Sequence, residues 1–386
     1  MLPQEKSHGL PMTDPTFVDT NAQLEAACKR WMSLDTVGLD TEFERTRTYY
    51  SRPALVQIFD DEHVSLIDPL AIDDFEPLAA LLSSPDVTKV MHAAEGDMEV
   101  LEQLTDIVPV RVFDTQLAAA FTGHGFSLGY RNLTQMLLGE ELSKGETRSD
   151  WLRRPLSDAQ IAYAALDVLH LLRMYEQLRS ELCTLGRAGW LDEEMERVQR
   201  RRDADRDPRR AYLRIRQGRR LEGGALRALR DLAAWREHEA RNRDLPRQMV
   251  VRDVSLVAMA SARPDSAAQF ADIPEFSDKA ARRYSDALIE ILEQARADDG
   301  EAPIVPEPTI ERRHAIWLKS LKEVLQSRAA TLGVPAPLLA QTRTLEALVA
   351  TAAAGNDALP EELRGWRGPA IGDQLRAALE GIAKDG

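Results

Sequence analysis

Short apolar runs alternate with longer stretches of helical periodicity in the first half of the chain, from about residue 16 to residue 180. Apolar and β-branched runs predict strands, and apolar residues three or four positions apart predict helices. This alternation is typical of an α/β domain in which helices cover a sheet. The predicted strands are 35–40, 54–59, 63–67, 87–91 and 111–113, and the predicted helices are 97–104, 115–121, 128–138 and 158–178.

The second half of the chain, after about residue 195, keeps the helical spacing and loses the strand pattern, which predicts an all-α region. Part of its pattern returns after 89 positions, which predicts two copies of one helical module. The proline-rich segment 300–308 separates them as a semi-rigid linker. The predicted domains are 16–195, 208–298 and 310–386, and the repeated residues are Leu229, Leu232, Ala240, Pro246 and Leu256.

The charge balance limits how the protein can bind polyanions. The chain of 386 residues has 63 acidic and 49 basic side chains, a net charge of −14, which excludes uniform attraction to nucleic acid or to an anionic membrane. Residues 196–220 depart from this background with eleven arginines against four acids. That stretch is equally consistent with a phosphate-binding surface and with a solvated helix and linker whose arginines pair with neighbouring acids.

The two cysteines, Cys28 and Cys183, lie far apart and have no partners at metal-ligand spacing. We therefore expect neither a disulfide framework nor a zinc site, and we expect a cytoplasmic protein in a reducing compartment. The chain has no apolar stretch of the roughly 18 residues that span a bilayer, nor an apolar segment behind a basic start. We therefore expect a protein that is neither exported nor embedded in a membrane.

Asp40-Thr41-Glu42 ends an apolar strand, and side chains two apart on a strand point to the same face. The two carboxylates therefore converge and could offer paired hard oxygen ligands to Mg²⁺ or Mn²⁺. Taken alone, the same pattern is more often a solvent-exposed turn.

A phenol and a carboxylate follow at helical spacing. Tyr163 and Asp167 stand at positions i and i+4 of the predicted helix 158–178, on one face and beside an apolar stripe. A cation would relieve the cost of a charge at that place. The structural alternative is a core tyrosine with Asp167 at its edge.

A further acid, Asp97, lies where a predicted strand runs through a turn into a helix. It could be a ligand, or a first-turn acid that complements the helix dipole. His92 is better explained as a packed or backbone-bonded histidine, and Asp114 and Asp150 as turn or N-cap residues. The glycines of segment 123–129 have the wrong spacing and context for a dinucleotide loop, and no Walker loop, GxSxG or HExxH motif occurs.

The candidate acids and the tyrosine are more informative together than any of them is alone. In order and local context they resemble the tyrosine-containing branch of the DEDD exonuclease superfamily. Residues 40–43 and 149–167 resemble the ribonuclease D family in particular, and the resemblance covers about residues 16–180. The residues that carry the superfamily pattern are Asp40, Glu42, Asp97, Tyr163 and Asp167.

The helical half resembles the helicase-and-RNase-D C-terminal (HRDC) module around residues 229–256, which include Trp235 and Asp253. The second copy is degenerate, because Val324 stands at the position of Trp235 and Thr342 at that of Asp253.

The resemblance implies a ribonuclease H-like mixed sheet flanked by helices, followed by the all-α modules. It implies a 3′→5′ exoribonuclease that releases nucleoside 5′-monophosphates with two divalent cations, Mg²⁺ or Mn²⁺. Asp40, Glu42 and Asp167 would hold the cations, Asp97 would complete the site directly or through water, and Tyr163 would orient the attacking water. The implied partner is RNA, above all tRNA precursors at their 3′ ends, without a membrane or an obligate protein partner.

Five further residues are candidates for substrate contact, although surface helices carry such side chains routinely. Phe43 and Tyr130 could stack on terminal bases, and Lys144, Arg148 and Arg153 could contact phosphates. Two alternative functions stay open at this point. One is a DNA 3′→5′ exonuclease, because the metal chemistry does not depend on the 2′-hydroxyl, and the other is a non-catalytic RNA-binding scaffold.

Overall fold

The computed structural model describes residues 14–142, 149–298, 300, 303, 314–356 and 358–385. The chain divides into two compact units, one formed by Met1–Glu44 with Ser51–Met195 and the other by Arg45–Tyr50 with Glu196–Gly386. Among the described residues, no helix is long and apolar enough to cross a membrane.

The first unit is built on a mixed six-stranded sheet in the order β1-β4-β3-β2-β5-β6. Strands β2, β3 and β4 form an antiparallel meander, while β1 pairs with β4, β5 with β2, and β6 with β5 in parallel. The sequence-based expectation of a meander in a mixed sheet is confirmed. The strands are β1 Thr16–Val18, β2 Thr36–Glu44, β3 Arg52–Phe59, β4 Val64–Ile67, β5 Thr88–Met91 and β6 Val112–Asp114.

Helices flank this sheet, and their N-termini are fixed by local hydrogen bonds. Thr20 and Ser157 each form a capping box, in which the hydroxyl and the side chain three residues later satisfy free backbone N–H groups of α1 and α6. One apolar core of the unit lies against β2, β3, α1 and α2 and includes Trp31, Leu39 and Ile58. The helices are α1 Asn21–Trp31, α2 Glu76–Ser83, α3 Glu95–Thr105, α4 Thr115–Thr122, α5 Tyr130–Leu138, α6 Asp158–Leu169, α7 Leu171–Thr184 and α8 Ala188–Arg206.

The sequence pattern missed or misjudged several elements of the first unit. The pattern predicts one helix over 158–178, whereas the structure interrupts it at His170 and continues as α7 to Thr184. The edge strand β1 and helices α1 and α2 were not predicted at all. The three-residue β1 is too short to show a period-two pattern, and it is defined only by its pairing with β4.

The second unit is helical and has its own core, to which Leu229, Leu256 and Phe270 contribute. Helices α14 and α15 begin 89 positions after α10 and α11, the offset at which the sequence pattern repeats. The helices are α9 Gly223–Asn242, α10 Arg247–Val250, α11 Asp253–Ala262, α12 Asp278–Ala297, α13 Ala315–Leu332, α14 Ala336–Leu339, α15 Thr342–Ala353 and α16 Asp373–Asp385.

Residues 45–50 belong to the second unit because of a buried polar cluster around Tyr49. The hydroxyl of Tyr49 donates to Glu237 and accepts hydrogen bonds from Arg241 and Arg247, each at 3.0 Å. Glu237 is 1% exposed, and its pKa is lowered to about 2, because the cation of Arg247 and the Tyr49 hydroxyl outweigh the cost of burial.

Candidate active site

Strand β2 brings Asp40 and Glu42 to one face of the sheet. Asp40 lies opposite Gln57 of β3 and Glu42 lies opposite Leu55, so both acids share a face in the antiparallel pairing. The register shifts directly after Glu42, where a bulge ends the regular ladder. The expectation that these two carboxylates converge is confirmed.

Helix α6 supplies the third carboxylate. One oxygen each of Asp40, Glu42 and Asp167 can be chosen so that all three lie within 4.8 Å of one another. Tyr163, one helical turn before Asp167, hydrogen-bonds the Asp167 carboxylate through its hydroxyl. The missing side chain of Gly38 on β2 lets the start of α7 come close to the strand. A Cβ atom at residue 38 would lie only 3.2 Å from the Cβ atom of Leu171.

Asp97 lies in the first turn of α3 and is 7% exposed. The hydroxyl of Thr41 donates a hydrogen bond of 2.6 Å to Oδ1 of Asp97. Asp97 is not part of the group of three carboxylates, yet its charge raises the pKa of both Asp40 and Glu42. Thr41 was not among the sequence-based candidates, because a single threonine in a strand has no distinguishing pattern.

Burial raises the pKa of every acid in this site, and repulsion by other site carboxylates raises the pKa of Asp40 and Glu42 further. Burial is the largest cause in each case, and it raises the pKa of Glu42 to about 8, of Asp97 to about 7 and of Asp167 to about 6. The pKa of Asp40 is raised well above its ordinary value by burial and by the charges of Asp97, Asp167 and Glu42. Without a cation, these carboxyls hold protons that isolated carboxyls would release.

The donor set fits a divalent cation site. Three carboxylates within 4.8 Å offer only hard oxygen ligands, and their combined charge is unfavourable until a cation offsets it. Such ligands suit Mg²⁺ or Mn²⁺, whereas the nitrogen and sulfur ligands of typical zinc sites are absent from this group.

Tyr130 joins α5 to the break between α6 and α7. Its hydroxyl donates to the carbonyl oxygen of Leu166 at 2.9 Å and accepts from the backbone N–H of His170 at 3.1 Å. A continuous helix would join that N–H directly to that carbonyl group, so the hydroxyl is inserted into the helical ladder. Asp167 lies between the two bonded residues, and the insertion therefore shapes the backbone that carries it.

Gln57 is a second polar residue that sequence analysis missed. It is fully buried on β3, directly across from Asp40. Neither its Oε1 nor its Nε2 atom has a hydrogen-bond partner among the described residues. An amide that is buried without hydrogen-bond partners costs free energy, and this cost is borne directly beside the carboxylate cluster.

The remaining sequence-based candidates have mixed placements. Phe43 is partly buried, and its Cζ atom lies 3.7 Å from where a Cβ atom of Gly96 would be. Arg153 is exposed. The base-stacking roles of Phe43 and Tyr130 and the phosphate role of Arg153 stay predictions, and Lys144 and Arg148 lie outside the described residues.

The two residues for which the sequence favours a structural role, His92 and Asp114, have structural partners. Nε2 of His92 lies 2.9 Å from the carbonyl oxygen of Leu128, which confirms a backbone-bonded histidine. Asp114 is the N-cap of α4 and also accepts hydrogen bonds from the N–H groups of Ala93 and Ala94. Asp114 therefore fixes the turn that leads from β5 into α3.

Comparison with known proteins agrees with this geometry. A family model described as 3′-5′ exonuclease matches residues 15–183, and the HRDC domain model matches residues 225–292. Ribonuclease D of Pseudomonas paraeruginosa is 41% identical over 94% of this chain and 97% of its own length. Ribonuclease D of Escherichia coli is 34% identical over 94% of this chain and 98% of its own.

A solved structure extends the likeness to the whole fold. The crystal structure of Escherichia coli RNase D, an exoribonuclease involved in structured RNA processing, superposes with a TM-score of 0.86. The match covers 96% of this chain and 99% of the other at 32% sequence identity.

Proposed function

The chain belongs to the ribonuclease D family and is a 3′→5′ exoribonuclease, and from this premise we propose that it matures the 3′ ends of structured RNA precursors, above all tRNA precursors, by two-metal-ion hydrolysis. The observation that carries the chemistry is the convergence of Asp40, Glu42 and Asp167 from two separate elements. The reaction would release nucleoside 5′-monophosphates.

Asp40, Glu42 and Asp167 would hold the divalent cations, with Asp97 contributing directly or through water. When bound, the cations supply positive charge that favours ionisation of the attacking water and offsets the charge that develops on the departing 3′ oxygen. The protein's part is to place these carboxylates on a strand and a helix that are fixed against each other.

Tyr163 contributes through its hydroxyl. Its pKa is raised by burial and by the neighbouring carboxylates, so the phenol stays protonated over the physiological range. A protonated phenol can orient a water molecule by hydrogen bonding but does not remove its proton. In this proposal Tyr163 therefore positions the nucleophile, as part of a pair with Asp167.

We choose tRNA precursors as the substrate because of the family. Because the chain has a net charge of −14, RNA must bind where the local charge is positive. The helical modules would bind the body of the RNA, and we expect this of the HRDC domain at 225–292 more than of the degenerate second copy. We also propose a cytoplasmic location without an obligate protein partner. The free thiols of Cys28 and Cys183 are compatible with a reducing compartment.

The direct test is incubation of a 3′-labelled tRNA precursor with Mg²⁺, with and without EDTA, followed by identification of the released product. We expect labelled nucleoside 5′-monophosphate with Mg²⁺ and none with EDTA. Release of 3′-monophosphates, or activity that survives EDTA, would refute the mechanism. A matched DNA oligomer that is digested at the same rate as RNA would favour the DNA exonuclease instead.

A further inference from the structure

The segment between the two family matches has an unusual charge pattern. Residues 208–221 contain six arginines and no acid, although the whole chain has an acid at about every sixth position. The segment lies after the exonuclease match, which ends at residue 183, and before the HRDC match, which begins at residue 225. Neither family model therefore accounts for its charge.

The segment is folded onto the second unit as two short 3₁₀ helices, Pro208–Arg214 and Arg216–Arg220. Ala211, Tyr212 and Ile215 are buried in the same apolar core as helix α9. At Gly218 the backbone is so close to α9 that a Cβ atom would lie 2.2 Å from Cδ2 of Leu229. The buried side of the segment is thus fixed, and its arginines lie on the exposed side.

Four of these arginines form what we call the arginine face. Each is exposed, and none has an ion pair or a side-chain hydrogen bond within the part of the chain that the structure describes. Arg214, by contrast, lies 3.6 Å from Asp205 and 3.6 Å from Glu237, so its charge is offset. The arginine face consists of Arg209, Arg210, Arg216 and Arg220.

We propose that the arginine face binds the sugar-phosphate backbone of the RNA substrate, outside the active site. Guanidinium groups bind phosphate oxygens through two parallel hydrogen bonds, and these four stand on a fixed backbone without a carboxylate partner among the described residues. Six positive charges in this segment leave −20 on the rest of the chain, so RNA is attracted here against the general field. The inference rests on the proposed function, because it takes RNA as the ligand.

The strength of the effect follows from counterion release. For single-stranded nucleic acid, each neutralised phosphate contributes about −0.7 to the slope of log K against log salt. Four contacts therefore account for a slope of about −3. At about 0.1 M salt, loss of all four corresponds to a weakening of binding by about 600-fold.

The experiment compares two quadruple variants of the full-length chain that have the same net charge. The test variant replaces Arg209, Arg210, Arg216 and Arg220 by Gln. The control variant replaces four exposed basic residues that lie outside the HRDC domain by Gln, namely Lys29, Lys322, Arg343 and Arg364. Binding to a labelled tRNA precursor is measured by fluorescence anisotropy at several salt concentrations in EDTA, and thermal melting checks that both variants are folded.

We expect the test variant to lose about three units of salt slope and the control variant less than one. Equal slopes for the test variant and the wild type would overturn the proposal. An equal loss in both variants would also overturn it, because net charge rather than the arginine face would then set the affinity. Because binding is measured in EDTA, the salt slope does not depend on whether the RNA is hydrolysed. Failure of the proposed function is detected separately, by the product assay.

Discussion

Replacement of Thr41 by valine tests how Asp97 takes part in the active site. The substitution exchanges a hydroxyl for a methyl group of nearly the same shape at a position that is 6% exposed. It removes the 2.6 Å hydrogen bond to Oδ1 of Asp97. Valine suits a β-strand at least as well as threonine, so the strand should remain intact.

The size of the effect follows from that hydrogen bond. A hydrogen bond to a charged group contributes about 1.5–3 kcal/mol, and about 1.4 kcal/mol corresponds to a factor of ten. If the bond is needed to hold Asp97 ionised and oriented, Thr41→Val should weaken Mn²⁺ binding by about 10- to 100-fold. The Thr41 hydroxyl also lowers the pKa of Asp97, which is about 7. Its loss raises that pKa further, so the defect should be larger near pH 6.5 than near pH 8.5.

The assay combines Mn²⁺ titration by calorimetry with single-turnover hydrolysis of a 3′-labelled RNA over a range of Mg²⁺ concentrations. Thr41→Ser is the matched control, because it keeps the hydroxyl and loses only a methyl group. We expect the serine variant to bind Mn²⁺ like the wild type. A valine variant whose Mn²⁺ affinity stays within twofold of the wild type at both pH values would show that this hydrogen bond does not support cation binding.

Three further predictions concern the carboxylate cluster and its support. Asp40→Asn and Asp167→Asn should each abolish hydrolysis in single-turnover assays with Mn²⁺ while the melting temperature is kept, and activity within tenfold of the wild type would contradict the ligand assignment. The pKa of Glu42 is raised to about 8 and that of Asp167 to about 6. Above about pH 4.5 the unfolded chain has released these two protons, whereas the folded state still holds them. In EDTA the melting temperature should therefore fall as pH rises from about 5 to about 8. Mg²⁺ should restore the melting temperature most at the higher pH. A melting temperature that rises over this range would show that these raised pKa values are wrong. Tyr130→Phe should lower Mn²⁺ affinity by about tenfold without lowering the melting temperature, because the two backbone groups that it bridges can then bond directly. Tyr175→Phe, which alters a ring packed against the core, is the control, and equal Mn²⁺ affinities of the two variants would leave Tyr130 without a positioning role.

Much of the first unit could be predicted because its strands carry a local pattern. The apolar run 54–59 is part of β3, and the turn residues that follow it separate β3 from β4 as expected. The convergence of Asp40 and Glu42 follows from the period of two along β2. That Asp167 joins them could be inferred only from the family resemblance, because no local rule brings a helix back to a strand more than a hundred residues earlier.

The features that sequence analysis missed depend on contacts between distant residues. The break at His170 comes from the hydroxyl of Tyr130, forty positions earlier, which enters the helical ladder. The hydrogen bond from Thr41 to Asp97 likewise joins a strand to a helix 56 positions later. In each case the residue type is common and its local setting is ordinary, so only the fold reveals its role.

We propose that Asp40, Glu42 and Asp167 form one site for divalent cations. Calorimetric titration of the full-length protein with Mn²⁺, with Asp167→Asn as the comparison, is the decisive experiment. We expect the wild type to bind two ions per chain and the variant to lose at least one of them. Wild-type protein that binds no Mn²⁺ with measurable affinity, or a variant that binds both ions unchanged, would contradict it.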